Sequence, residues 1–161
     1  MRCLAIVLLV GCHTQLPDTT LHPTDTDRAR AESIRDAWAA SDMPDPHTPA
    51  CDDALLHMRV ALVDDEGIRE HCGRCPPGHC PGYRASEKCP WGCAAACYRR
   101  MGDWRVIVHH ESVGPEPSVH EVLHLLEDCT GMGADRQHER DAVWGDGGVL
   151  RQAKQGLRDG G

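Results

Sequence analysis

The sequence predicts an α+β domain in which a short mixed sheet supports one active-site helix and disulfides brace the whole. Three observations carry that expectation. Val119, Val122, Leu123 and Leu126 fall at i, i+3, i+4 and i+7, the stripe of an amphipathic helix. Residues 55–64 (L-L-H-M-R-V-A-L-V-D) and 104–110 (W-R-V-I-V-H-H) contain β-branched runs suited to strands. Ten cysteines in 161 residues, with no Phe, two Tyr and four Trp, describe a chain short of large core side chains and rich in crosslinking groups.

The length suits one domain with a modest core. A formal charge of −8 argues against nucleic acid, whose binding needs a basic surface that releases counterions. No apolar run reaches the roughly 18 residues of a membrane-spanning helix, and no internal repeat is visible.

At the start, Met1-Arg2 precedes the apolar run Leu4-Ala5-Ile6-Val7-Leu8-Leu9-Val10, the layout of a short signal peptide over residues 1–11. Leu9-Val10-Gly11-Cys12 resembles the bacterial lipobox, which implies lipidation of Cys12 and a membrane anchor through that lipid. By the same resemblance, His13 rather than Asp after the cysteine implies sorting to the outer membrane, facing periplasm or exterior. A buried first strand is the plainer alternative, disfavoured by the abrupt polar switch after Cys12.

Setting aside Cys3 and Cys12 leaves Cys51, Cys72, Cys75, Cys80, Cys89, Cys93, Cys97 and Cys129. In an exported chain this even set most simply forms four disulfides, whose pairing the spacing does not choose. The rival for the cluster is structural zinc or an iron–sulfur centre, which a reducing compartment would favour.

The elements follow in order. Residues 12–26 are Thr-, Pro- and Asp-rich without apolar periodicity and read as a flexible tether, before a metal-binding domain over 27–161. Residues 27–40 predict a helix anchored by Ile34 and Trp38, ended by the prolines of 42–49. Asp64-Asp65-Glu66-Gly67 is a turn signal after the first strand. Residues 72–97 form a Cys-rich insertion, too rich in Pro and Gly to hold together without crosslinks. Within it, 91–100 suits a short helix with Cys93 and Cys97 on one face. After the strand 104–110, Gly114-Pro115-Glu116-Pro117 interrupts the backbone before the central helix, which Gly131 caps. Ala142-Val143-Trp144 returns to the core, and 149–157 suits a last helix.

The central helix carries the chemistry. His120-Glu121-Val122-Leu123-His124 reads H-E-x-x-H, and residues four apart lie about 40° apart around a helix axis. The two imidazoles therefore project from one side, spaced to share a tetrahedral Zn²⁺, with Glu121 placed to take a proton from metal-bound water. Ser118-Val119-His120-Glu121 also reads S-x-x-E, a capping box in which Glu121 folds back onto Ser118, but that accounts for neither histidine.

The order of strand, H-E-x-x-H helix, Gly turn and further His resembles the zincin metallopeptidases over residues 104–144, about a quarter of the chain. The resemblance implies a zincin-like fold, a Zn²⁺ cofactor and a peptide or protein substrate. It leaves the third ligand open. Glu127 stands where metzincins place a Gly, Glu139 lies closer than gluzincins place their Glu, and Asp135 with His138 partly resembles the aspzincin loop. His138 is favoured because neutral imidazole completes a three-His site, with Asp135 the alternative ligand or else a supporting group. Glu127 and Asp128 are spaced to orient His124, although solvated helix charges are the commoner case.

Glu121 then acts as general base towards the water and general acid towards the leaving amine. Tyr98, His109, His110 and Arg105 are unranked candidates for a second oxyanion donor, with His109 and His110 otherwise ordinary exposed histidines. The expected function is a zinc-dependent peptidase anchored at the bacterial envelope. The alternatives are a non-catalytic, zinc-stabilised envelope module and a metal-free disulfide-rich binding module.

Overall fold

The computed structural model describes residues 19–72, 96–111, 117–135 and 138–159. The signal peptide 1–11, Cys12 and its lipid, Cys75, Cys80, Cys89, Cys93 and residues 114–116 lie outside the described residues. The fold is mixed helix and sheet, with two cysteine pairs at bonding distance.

Strand β1 (Thr20–Leu21) leads into helix α1 (Asp25–Ala39). The helix starts two residues before the expected Asp27 because Thr24 caps it. Thr24 Oγ1 accepts the Asp27 N–H at 3.2 Å and Asp27 Oδ2 accepts the Thr24 N–H at 2.8 Å, a reciprocal capping box. Ile34 and Trp38 are its buried anchors, and the Trp38 indole donates to the Pro44 carbonyl at 2.8 Å.

Helix α2 (Pro49–Leu56) departs from the sequence reading, which ran loop to Pro49 and strand from Leu55. Thr48 accepts the Cys51 N–H and Pro49 takes the first turn, where its missing N–H costs nothing. Strand β2 (Met58–Val63) follows, and then helix α3 (Asp65–Cys72) begins where a turn was expected. Asp64 Oδ1 accepts the Gly67 N–H at 2.9 Å, so the Asp-rich turn signal is a helix start.

Strand β3 (Ala96–Met101) takes the second half of the stretch 91–100 expected as a helix, whose first half, 91–95, lies outside the described residues. It pairs antiparallel with β4 (Trp104–His110) through the two-residue loop Gly102-Asp103, whose Gly102 takes φ 59°. The sheet order is β1-β2-β4-β3, with β2 parallel to β4 and the outer pairs antiparallel. Thr20 and Leu21, inside the stretch expected as tether, pair with Ala61 and Val60 and so extend the sheet.

Helix α4 (Val119–Cys129), short helix α5 (Asp141–Trp144) and helix α6 (Val149–Asp159) complete the described chain. Sheet alternation divides the core. Ile107 faces α4 and joins Ile34, Trp38, Leu123 and Leu126. Val106 and Val108 face the other way, against Ile68 of α3. The Cys51–Cys129 bond ties α2 to the last residue of α4, and Cys72–Cys97 joins the two ends of the Cys-rich insertion. The second bond ties the end of α3 to β3. Among the described residues no helix is long and apolar enough to cross a membrane.

Replacing Trp38 by Ala empties the largest buried site in the core and is expected to cost about 3–5 kcal/mol in urea unfolding. Leu56→Ala, at a side chain 61% exposed, is expected to stay within about 0.5 kcal/mol.

Candidate metal centre

Helix α4 presents His120 and His124 from one side because its apolar stripe occupies another. Val119, Val122, Leu123 and Leu126 are all buried, together with Leu125. The helix ends in a paired cap, with Gly131 N–H donating to the Asp128 carbonyl at 3.1 Å and Met132 N–H to the Glu127 carbonyl at 3.0 Å. Gly131 at φ 80° and Gly133 at φ 71° then turn the chain back towards the helix.

That return delivers His138. Its Nε2 lies 3.2 Å from His124 Nε2, and ligand nitrogens of His120, His124 and His138 all fall within 4.8 Å of one another. These three residues could hold a metal ion. Tetrahedral zinc with bonds of about 2.0–2.1 Å sets nitrogen pairs about 3.3 Å apart, so the His124–His138 pair is near that spacing and the set needs only a modest closure. The favoured third ligand of the sequence reading thus joins the cluster. Asp135 does not belong to it, and its Oδ2 instead accepts the Arg140 N–H at 2.8 Å. Glu139 is exposed.

Trp144 of α5 packs against all three rings, with centroids 4.8, 4.6 and 4.4 Å from His120, His124 and His138. The indole forms an apolar wall that limits how far each imidazole can rotate.

Glu127 is the residue the sequence reading undervalued. It is 0% exposed rather than a solvated surface charge. Its Oε2 accepts His124 Nδ1 at 3.0 Å and the Asp135 N–H at 2.7 Å. Its Oε1 accepts Arg140 Nη1 at 3.0 Å and the Trp144 indole N–H at 3.3 Å. Burial pushes this carboxyl up, but the bonds from His124, the Asp135 N–H and Arg140 outweigh burial and hold it below the usual carboxylate range. A signal was present in the spacing. Glu127 is four residues after Leu123 and three after His124, between the core stripe and the histidine side.

Glu121 is buried, and Ser118 Oγ accepts its N–H at 3.2 Å. That bond is the forward half of the expected capping box. The Glu121 carboxylate, however, lies with Oε1 3.9 Å from His120 Nε2, beside the cluster.

The candidate oxyanion donors divide. The Tyr98 phenol donates to Asp128 Oδ2 at 2.7 Å, and Arg105 Nε stands 4.0 Å from the same oxygen. Burial, then Asp128, push the Tyr98 phenol well above its ordinary range. Both side chains therefore serve the flank of α4. His109 is fully buried, which corrects its reading as an exposed histidine, because sheet alternation turns it inward with Ile107; His110 is half-buried.

Comparison with family models, with curated proteins and with solved structures returns no match.

His138→Ala is expected to weaken metal binding by more than the roughly 100-fold that loss of an outer partner costs, and Asp135→Ala by about 10-fold at most. Competition against a chromophoric chelator measures both, and the reverse ranking would make Asp135 the third ligand.

Proposed function

We propose that the chain is a zinc-dependent peptidase, a small zincin-like domain held at the bacterial envelope by a lipid on Cys12. One observation carries the reading: His138 reaches His124 from 14 residues away in sequence, on the side of α4 where Glu121 stands beside His120. Among the described residues the group is three imidazoles with no fourth protein ligand, the donor set of a catalytic rather than a structural zinc site. Zinc is the favoured ion because neutral imidazole suits it and because it keeps a fourth position for water or substrate.

Such an ion supplies the Lewis acidity that makes water nucleophilic near neutral pH and shares the charge developing on a carbonyl oxygen. Glu121 supplies the proton transfers. Its carboxylate takes the proton of the attacking water and hands it to the departing amine. His120, His124 and His138 would hold the ion, with the Trp144 indole packed against all three rings.

Two disulfides within the described residues support export, since such bonds persist in oxidising compartments. Export agrees with the signal peptide and lipobox resemblance, and a peptide or protein substrate at the envelope follows from the zincin resemblance.

A second reading has its own observation. Trp144 packs on all three imidazoles at once, as a group would that closes a structural site. In that reading the ion only stabilises a binding module.

Glu121→Gln separates the two. The variant is expected to keep bound zinc by elemental analysis and to lose about 10²–10⁴-fold in hydrolysis of a quenched peptide library. Parent-level turnover in the variant would remove Glu121 from the mechanism, and no turnover in the zinc-loaded parent would favour the binding module.

A further inference from the structure

We propose that Glu127 is a positioning residue that sets two ligand imidazoles at once: it holds His124 in one tautomer and pins the turn that presents His138. The link to metal binding rests on the metal reading above, but the tautomer can be observed without any ion.

The first half follows from donor chemistry. An ionised carboxylate only accepts hydrogen bonds, through about four lone-pair sites. Here each oxygen receives two donors, so every site is used. Facing such a group, a neutral His124 ring carries its hydrogen on Nδ1, which leaves the Nε2 lone pair directed towards His138 Nε2. Anchoring of the outer ring nitrogen also makes the inner one a better donor to a cation.

The second half follows from where the other donors lie. Asp135, three residues before His138, gives its N–H to Oε2, and Arg140, two residues after, gives its guanidinium to Oε1. Arg140 also donates to the carbonyls of Met132 and Gly133 at 2.8 and 2.9 Å. One buried carboxylate thus grips the turn on both sides of the ligand it delivers. His138 itself sits at φ 58°, a left-handed conformation uncommon outside glycine, which the bonds on both sides of it help to hold. A carboxylate present only to neutralise Arg140 would not need the His124 and Asp135 bonds.

Glu127→Gln preserves shape and volume. Its amide nitrogen cannot accept, so two of the four donors lose their partner whichever way the amide points. Long-range ¹H–¹⁵N spectra of the metal-free protein should show His124 as the single Nδ1–H tautomer in the parent and as a mixture in the variant. Titration with Co²⁺ should show affinity falling about 10–100-fold in Glu127→Gln, with a changed d–d spectrum, while Leu56→Ala, at an exposed side chain outside the cluster, keeps the parent spectrum. Arg140→Met, at a more exposed side chain, guards against a Glu127 variant that fails to fold. It should keep the His124 tautomer and weaken Co²⁺ binding, because only the His138 side is loosened. Unchanged tautomer and affinity in Glu127→Gln, or unchanged affinity in Arg140→Met, would overturn the proposal. A parent that binds no Co²⁺ yet shows the tautomer change in Glu127→Gln would support the positioning role and sink the metal reading instead.

Discussion

A carboxylate without access to water must find donors for both of its oxygens, and the site depends on how Glu127 meets that demand. Leaving an ionised group unpaired in the interior costs several kcal/mol, far more than any single local preference of the turn that follows. The donors come from the helix itself, from the turn at Asp135, from Arg140 and from α5 through Trp144. Satisfying one buried group therefore folds 17 residues of chain back over the side of α4 that bears the histidines. The positive φ of His138 is the local strain that this arrangement tolerates.

Helix α4 can carry so polar a side because its opposite side is among the most apolar surfaces of the molecule. Leu123, Leu125 and Leu126 are fully buried against α1 and the sheet, with Ile34, Trp38 and Ile107 as neighbours. The Cys51–Cys129 bond adds a covalent limit at the helix end, immediately before the turn begins. In a chain without Phe, that crosslink and the small tight core act together: the core fixes the rotation of α4 about its axis, and the disulfide fixes its C-terminal end. Rotation is what aims His120 and His124.

The two flanks of the helix have separate electrostatic roles. On one, Asp128 takes the Tyr98 phenol and faces Arg105, tying the helix to β3 and β4. On the other, Glu121 and Glu127 border the three imidazoles. Their environments differ in kind. Glu127 receives four donors from within the protein, whereas Glu121 lies with Oε1 3.9 Å from His120 Nε2. Two buried carboxylates six residues apart thus border different imidazoles, Glu121 beside His120 and Glu127 on His124.

What the sequence determined by itself was whatever a short period encodes. The 3.6-residue stripe of 119–126, the anchors Ile34 and Trp38 and the run 104–110 were legible because each element buries one continuous face, and burial leaves its period in the residue order. The H-E-x-x-H pair was legible for the same reason, and His138 came from donor chemistry plus two glycines able to turn the chain. Helices α2 and α3 were obscured because Thr-Pro and Asp-Asp are start signals that also mark turns, and β3 because a strand among cysteines shows its identity only when β4 supplies the ladder. Tertiary structure alone decided the role of Glu127. The i, i+3 spacing put Glu127 within reach of His124, but its burial is stable only because donors 8, 13 and 17 residues away arrive as well, and no local pattern records those.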